Sequence, residues 1–339
     1  MESILEVHEL QIKLKKGKNR QITAVENLSF SMKKGRTLGI IGESGSGKSL
    51  TCMGIMGLLD PKIWSVKGNI NFGSKNLDIS RRKNMSGICG NKIALIIQNP
   101  MSAFNPVITI GAHFYETMNK TGMKKKSRTE IEKDASELLQ KMHIRDPQAV
   151  LRSYAFQLSG GMLQRIMIAL ALAVEPDILI ADEPTTALDL SVRNEILKIL
   201  KELQKQYKMT ILIVSHDLSV IRELSDDIAV MYAGNFVEYG KAGEILKNPQ
   251  HPYTRGLFMS RPAFSKDRLI MMEGQPPTLE ERGKGCGFYP RCPEKTMECK
   301  KYYIRPELYG DSHVVNCMRM DEKRGKNGFT DDKQCKEKL

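Results

Sequence analysis

No stretch of the chain approaches the ~18–20 consecutive apolar residues of a membrane span, and the N-terminus MESILEVHEL lacks the basic-then-apolar order of a secretory signal. Both absences point to the cytosol as the expected compartment. Aromatic residues make up only 6% of the chain, with a single tryptophan, and none precedes Phe30. The seven cysteines are an odd number in a chain without a signal peptide, which argues against a disulfide framework. No internal repeat is present.

What is there is ordinary for a globular protein: 339 residues, 41% apolar and 27% charged, enough for one full-sized domain and something smaller. The formal charge of +13 comes partly from KLKKGKNR (13–20), RRK (81–83) and KKKSR (124–128). Such clusters most often mark solvated faces; an anionic membrane surface and nucleic acid are the sharper readings. Charge alone does not choose among them.

Short apolar runs at 37–41 (TLGII), 93–97 (IALII), 178–181 (ILIA) and 211–214 (ILIV) read as buried parallel strands separated by helical patterns, which is α/β layering. The clearest helix covers 192–203, with Val192, Ile196, Ile199, Leu200 and Leu203 on one face. Residues 107–157 lack such strands and read as a helical insertion. Ala233-Gly234-Asn235 predicts the turn of a hairpin over 228–239. From Asn248 the composition shifts to Pro, Gly and Cys, marking a separate module, and the last residues read as a disordered tail.

GESGSGKS, Gly42 to Ser49, fits the phosphate-loop pattern and lies between a strand and a helical run, as that motif requires. Its glycines let Gly42, Glu43, Ser44, Gly45, Ser46 and Gly47 turn backbone N–H groups towards phosphate oxygens. Lys48 reaches the terminal phosphates and the Ser49 hydroxyl suits Mg²⁺. ILIADEP ends a strand on two adjacent carboxylates, which we assign to different tasks: Asp182 to Mg²⁺ and Glu183 to orienting the attacking water. Gln98 and His216 also follow strands, where ligands of a parallel sheet collect. Gln98 is expected to meet Mg²⁺ or the lytic water, and His216 the γ-phosphate. LSGGMLQR, 158–165, reads as a second anion-seeking helix start, capped by Ser159.

Taken in order, GESGSGKS, Gln98, LSGGMLQR, LIADEP, TALD (186–189) and SHD (215–217) resemble the ATP-binding cassette family over roughly residues 5–245. The resemblance implies a P-loop NTPase core with a parallel sheet, an antiparallel β part and a helical subdomain. It implies a head-to-tail dimer in which Ser159, Gly160, Gly161, Gln164 and Asp189 face the partner's ATP. QNPMSAFNP (98–106), EPTTALD and HPYTRGL (251–257) narrow the likeness to ATPase subunits of bacterial dipeptide, oligopeptide and nickel importers. The expected division is a nucleotide-binding domain over 1–247 with its helical subdomain at about 99–165, a C-terminal module over 248–325 and a tail over 326–339. The partners implied are a second, related cassette, two membrane permease subunits and an extracytoplasmic solute-binding protein, with the chain on the cytoplasmic face of the inner membrane. The alternative is a soluble cassette ATPase acting on nucleic acid or ribosomes. Phe104 is the expected contact with a membrane subunit. The family's first strand usually supplies an aromatic residue that stacks on adenine, and the aligned position here is Leu14.

Cys286, Cys292, Cys299 and Cys317 are separated by five, six and seventeen residues in a Gly/Pro-rich module too small for much core. Reducing conditions favour metal over disulfide, and the wide first gaps fit an iron–sulfur cluster better than zinc. The tail also resembles that of peptide-importer ATPases, some of which are thought to carry a [4Fe–4S] cluster. Zn²⁺ and free or disulfide-paired thiols remain the alternatives, and Cys335 is left out.

Overall fold

The computed structural model describes residues 2–17, 20–120, 126–186, 188–260, 272–283, 285–302, 306–309 and 312–319. The expected tail at 326–339, Cys335, Ala187 of TALD and parts of two basic clusters lie outside these residues. The described chain forms two compact units. One joins the residues up to Asn84 with those from Ser215 onward, and the other runs from Met85 to Val214.

In the first unit, β1 (Ser3–Lys16) and β2 (Arg20–Lys33) pair antiparallel, followed by β3 (Thr37–Ile41), α1 (Lys48–Ile55), β4 (Trp64–Phe72) and β5 (Lys75–Asp78). An antiparallel sheet takes the order β2-β1-β4-β5. The five residues of β3 are all buried, as an unbroken apolar run requires of a strand covered on both faces.

The second unit begins at Met85, the last residue of the short helix α2 (Arg82–Met85), takes in β6 (Ile93–Ile96), α3 (Ile110–Lys120), α4 (Arg128–Lys141), α5 (Pro147–Arg152), α6 (Gly160–Leu172), β7 (Ile178–Asp182) and α7 (Leu190–Tyr207), and ends at Val214 within β8 (Thr210–Ser215). Strands β6, β7 and β8 are parallel, with β7 in the centre. Helices α4 to α7 each start at a side chain that caps them. Ser127 and Glu130 form a reciprocal capping box on α4, and Asp146, Ser159 and Asp189 accept backbone N–H groups at the starts of α5, α6 and α7. Ile196, Ile199, Leu200 and Leu203 of α7 are buried, with Leu197 beside them.

The chain then returns to the first unit as α8 (Leu218–Leu224), β9 (Asp227–Tyr232), β10 (Asn235–Lys241), α9 (Ala242–Lys247), α10 (Pro252–Met259), α11 (Met297–Lys301), β11 (Glu307–Tyr309) and β12 (His313–Val315). Strand β9 pairs parallel with β3 and antiparallel with β10, giving the order β11-β12-β10-β9-β3. The β9–β10 turn uses Ala233 at φ 48° and Gly234 at φ 87°. Two positive φ values suit the twist of a tight hairpin. A Cβ on Gly234 would also fall 2.3 Å from the Ala24 carbonyl, so only glycine fits there.

Candidate functional site

The phosphate loop occupies the turn from β3 into α1. Gly45 and Gly47 take φ 76° and 111°, and no side chain caps the start of α1. Lys48 is buried, and its Nζ donates to the carbonyls of Gly42 and Glu43, both at 2.9 Å, so the ammonium already lies across the loop. Ser44 and Gly45 are exposed at the loop's tip. His216 is exposed beyond β8, next to Asp217, whose carboxylate accepts the Ser219 N–H at 2.9 Å and caps α8.

In the second unit, Asp182 is the last residue of β7 and is 4% exposed. Glu183 follows at φ 48°, a left-handed conformation that costs a non-glycine residue about 1–3 kcal/mol and persists only where neighbours enforce it. The neighbours are plain. Its N–H bonds the Val214 carbonyl at 2.9 Å, while Oε2 accepts Gln98 Nε2 at 3.1 Å and Thr186 Oγ1 at 2.8 Å. Gln98 and Glu183, far apart in sequence, thus share one hydrogen bond. Thr186 escaped the sequence reading, although a hydroxyl three residues after a strand-end carboxylate was the available signal.

Ser159 Oγ accepts the Met162 N–H at 3.3 Å, and Gly160 has open space around it. Gly161 is packed: a Cβ there would lie 2.9 Å from Val192 Cγ1. Asp189 is exposed and its carboxylate accepts the Val192 N–H at 2.9 Å. Gln164 differs from its expected position. It is 2% exposed, with Nε2 buried and lacking a hydrogen-bond partner, so it faces the interior of its unit rather than the open helix start. Phe104 also departs from expectation, being 6% exposed and packed edge-on against His113 at 5.2 Å. The apolar residues that this region does expose are Met101 and Val107.

Leu14 is half-buried on β1, in register with Ile22 of β2 and with Trp64 of β4. Opposed residues of an antiparallel pair share a face, so the only tryptophan of the chain stands beside Leu14. Sequence reading missed this neighbour because only strand register brings the two together.

Cys286, Cys292, Cys299 and Cys317 line one small cavity together with His251 and Glu294. Burial pushes the Cys286 thiol up to about 12 and raises Cys292 and Cys317. All four are free thiols. Among the described residues, no group of three or more His, Cys, Asp or Glu is arranged to hold a metal ion as it stands.

A strand-borne phosphate loop, a strand-end acidic pair whose Glu183 is bonded to a distant glutamine, and a second glycine-led helix start define an ATP-hydrolysing cassette. Comparison with known proteins agrees. The ABC transporter family profile matches residues 25–186, and that of the oligopeptide/dipeptide transporter C-terminal region matches 237–299. The dipeptide transport ATP-binding protein DppD of Bacillus subtilis (strain 168) is 41% identical, covering 95% of this chain and 96% of that protein. Its namesake in Escherichia coli (strain K12) is 39% identical over 87% and 90% of the two chains. Among solved structures, the post-hydrolysis dimer of the ATP-binding cassette MJ0796 with ADP and Pi superposes with a TM-score of 0.62 at 27% identity, covering 70% of this chain and 98% of that one. The chain belongs to the ABC transporter family, as an ATPase subunit whose C-terminal part is of the oligopeptide/dipeptide type.

Proposed function

We propose that this chain hydrolyses ATP to drive the import of dipeptides or oligopeptides through membrane permease subunits, supplied by an extracytoplasmic solute-binding protein. The observation that carries the cargo is full-length similarity to dipeptide transport proteins, cassette and C-terminal region together. The same likeness favours peptides over nickel and gives no support to a nucleic-acid role. No helix among the described residues is long and apolar enough to cross a membrane. The proposed place of the chain is the cytoplasmic face, docked on its permease partners. Met101 and Val107, exposed after Gln98, replace Phe104 as the proposed contacts with a permease. The functional division is the cassette to residue 247, with its helical subdomain at about 99–165, then the cysteine module over 248–325 and the tail.

The chemistry is assigned residue by residue. Backbone N–H groups of 42–49 and the Lys48 ammonium bind the phosphates. Ser49, Asp182 and Gln98 offer hydroxyl, carboxylate and amide oxygens, a donor set suited to Mg²⁺, which when bound offsets phosphate charge. Glu183 orients the attacking water, its carboxylate aimed by Gln98 and Thr186. His216 steadies the γ-phosphate. Ser159, Gly160 and Gly161 of each cassette meet the nucleotide of the other, and we propose that the other is a related but distinct subunit. In the assembled complex, Glu183→Gln is expected to keep ATP affinity within about threefold and to lower turnover by about 10² or more. Near-normal turnover in that variant would remove Glu183 from its role.

For the cysteine cavity we propose a [4Fe–4S] cluster, with zinc as the second reading. Four soft donors converging on one cavity are the right chemistry for either. Anaerobically purified protein is expected to be brown, with about four irons, and Cys292→Ser to be colourless. Colourless anaerobic protein with stoichiometric zinc overturns the cluster.

A further inference from the structure

Three residues that follow β10 in the chain reach back to the phosphate loop. The Tyr253 hydroxyl accepts the Glu43 N–H at 2.9 Å. Arg291, whose side chain is 6% exposed, donates from Nη1 to the Glu43 carboxylate at 2.9 Å and to the Tyr232 hydroxyl at 3.2 Å, and from Nε to the Glu273 carbonyl at 3.0 Å. Arg282 donates from Nη1 to the Ala24 carbonyl at 2.7 Å and from Nη2 to the Gly45 carbonyl at 3.1 Å. The second and fourth residues of the loop are therefore held by the C-terminal segment.

Glu43 is the anomaly that these contacts address. It places a carboxylate inside a loop whose task is to receive a triphosphate, and like charges repel most strongly where water is partly excluded. Arg291 cancels that charge. Its guanidinium is further fixed against the faces of Tyr232 and Phe288, 5.8 and 5.9 Å from their centroids, so it is pre-set rather than recruited. Arg282 fixes the Gly45 carbonyl, which limits how the exposed tip of the loop can turn.

We propose that the C-terminal segment is part of the ATP site, with Arg291 as a positioning residue that neutralises Glu43 and so permits tight binding of polyphosphate. The proposal rests on Gly42–Ser49 being the ATP loop. Its dependence on charge separates it from a merely structural role, because repulsion grows with the number of phosphates.

The test measures Kd for ATP, ADP and AMP by equilibrium dialysis on the full chain. Arg291→Ala is expected to weaken ATP about tenfold, ADP less, and AMP hardly at all. Glu43→Ala/Arg291→Ala is expected to return ATP to within about threefold of wild type. Glu43→Gln, with Arg291 intact, is expected to bind ATP several-fold more tightly, the gain shrinking as salt rises. This variant carries the test if Arg291→Ala does not fold. A double variant as weak as Arg291→Ala, equal losses for all three nucleotides, or an unchanged Kd in Glu43→Gln would overturn the charge role. Wild-type chain that binds no ATP would overturn the loop assignment itself, which keeps the two failures apart.

Discussion

Glu183 combines two features that are costly apart, a left-handed backbone and a carboxylate tied to Gln98 and Thr186. Together they hold one oxygen in a defined direction, which is what orienting a water demands. Leu14 is the other residue with a measurable consequence. The family resemblance implies that the base lies against Leu14, and with no aromatic ring there a stacking contact of order 1 kcal/mol is expected to be missing. ATP and GTP are therefore expected to be used at similar rates, and Leu14→Tyr to tighten ATP about fivefold with a new preference over GTP. Trp64, opposite Leu14, makes intrinsic fluorescence a direct titration signal. An ATP preference already strong in wild type would show that another residue carries the stack.

Among the elements, α6 sets two adjacent glycines to different uses. Gly160 has open space, so Gly160→Ala is expected to fold at least as stably as wild type; the proposed contact with the partner's nucleotide predicts that it lowers turnover in the assembled complex. Gly161 lies against Val192 of α7, and a methyl there is expected to cost about 1–3 kcal/mol in a denaturant melt, relieved in part by Val192→Ala. Equal stability of the two alanine variants would refute the difference. The sequence made the start of α6 legible through Ser159. It could not show that Gln164, one turn into the helix, faces inward, because that depends on how α6 is rotated in its unit. Phe104 is a parallel case: an aromatic residue in a Pro-bounded loop reads as exposed, yet His113 of α3 covers it.

At the scale of the whole molecule, buried ionisable groups tie the C-terminal segment to β10. Burial opposes the charge of Glu238, but hydrogen bonds from His313 at 2.6 Å and from the N–H groups of Gln250 and His251 outweigh it and hold the carboxyl below its usual range. His251 is 1% exposed, accepts the Tyr253 N–H at Nδ1, and is pushed down to about 4 by burial. A histidine depressed on folding gives stability that is complete above its unfolded value of about 6.5 and erodes as pH falls towards 4, by at most about 1.4 kcal/mol per unit. Glu238 adds the same sign below the carboxylate range. The melting temperature is expected to fall between pH 6.5 and 4, and His251→Asn, which can still cap α10, to flatten that slope while lowering stability near pH 7.5. A wild-type melt insensitive to pH over this interval would contradict the burial of neutral His251.

The sequence by itself determined the buried parallel strands, the β9–β10 hairpin, the Ser159 cap and the phosphate loop, because each depends on residues adjacent in the chain: an apolar run, a turn residue, a Ser before a helix, glycines at fixed offsets. It also named Gln98 and Glu183 separately, from their places after strands. Only the tertiary structure brought Gln98 to Glu183, set Trp64 beside Leu14 by strand register, gathered four cysteines around one cavity, and laid Arg291 on Glu43. Those pairings join residues distant in sequence, and no local propensity encodes them; they follow from which faces the strands and helices bury against one another.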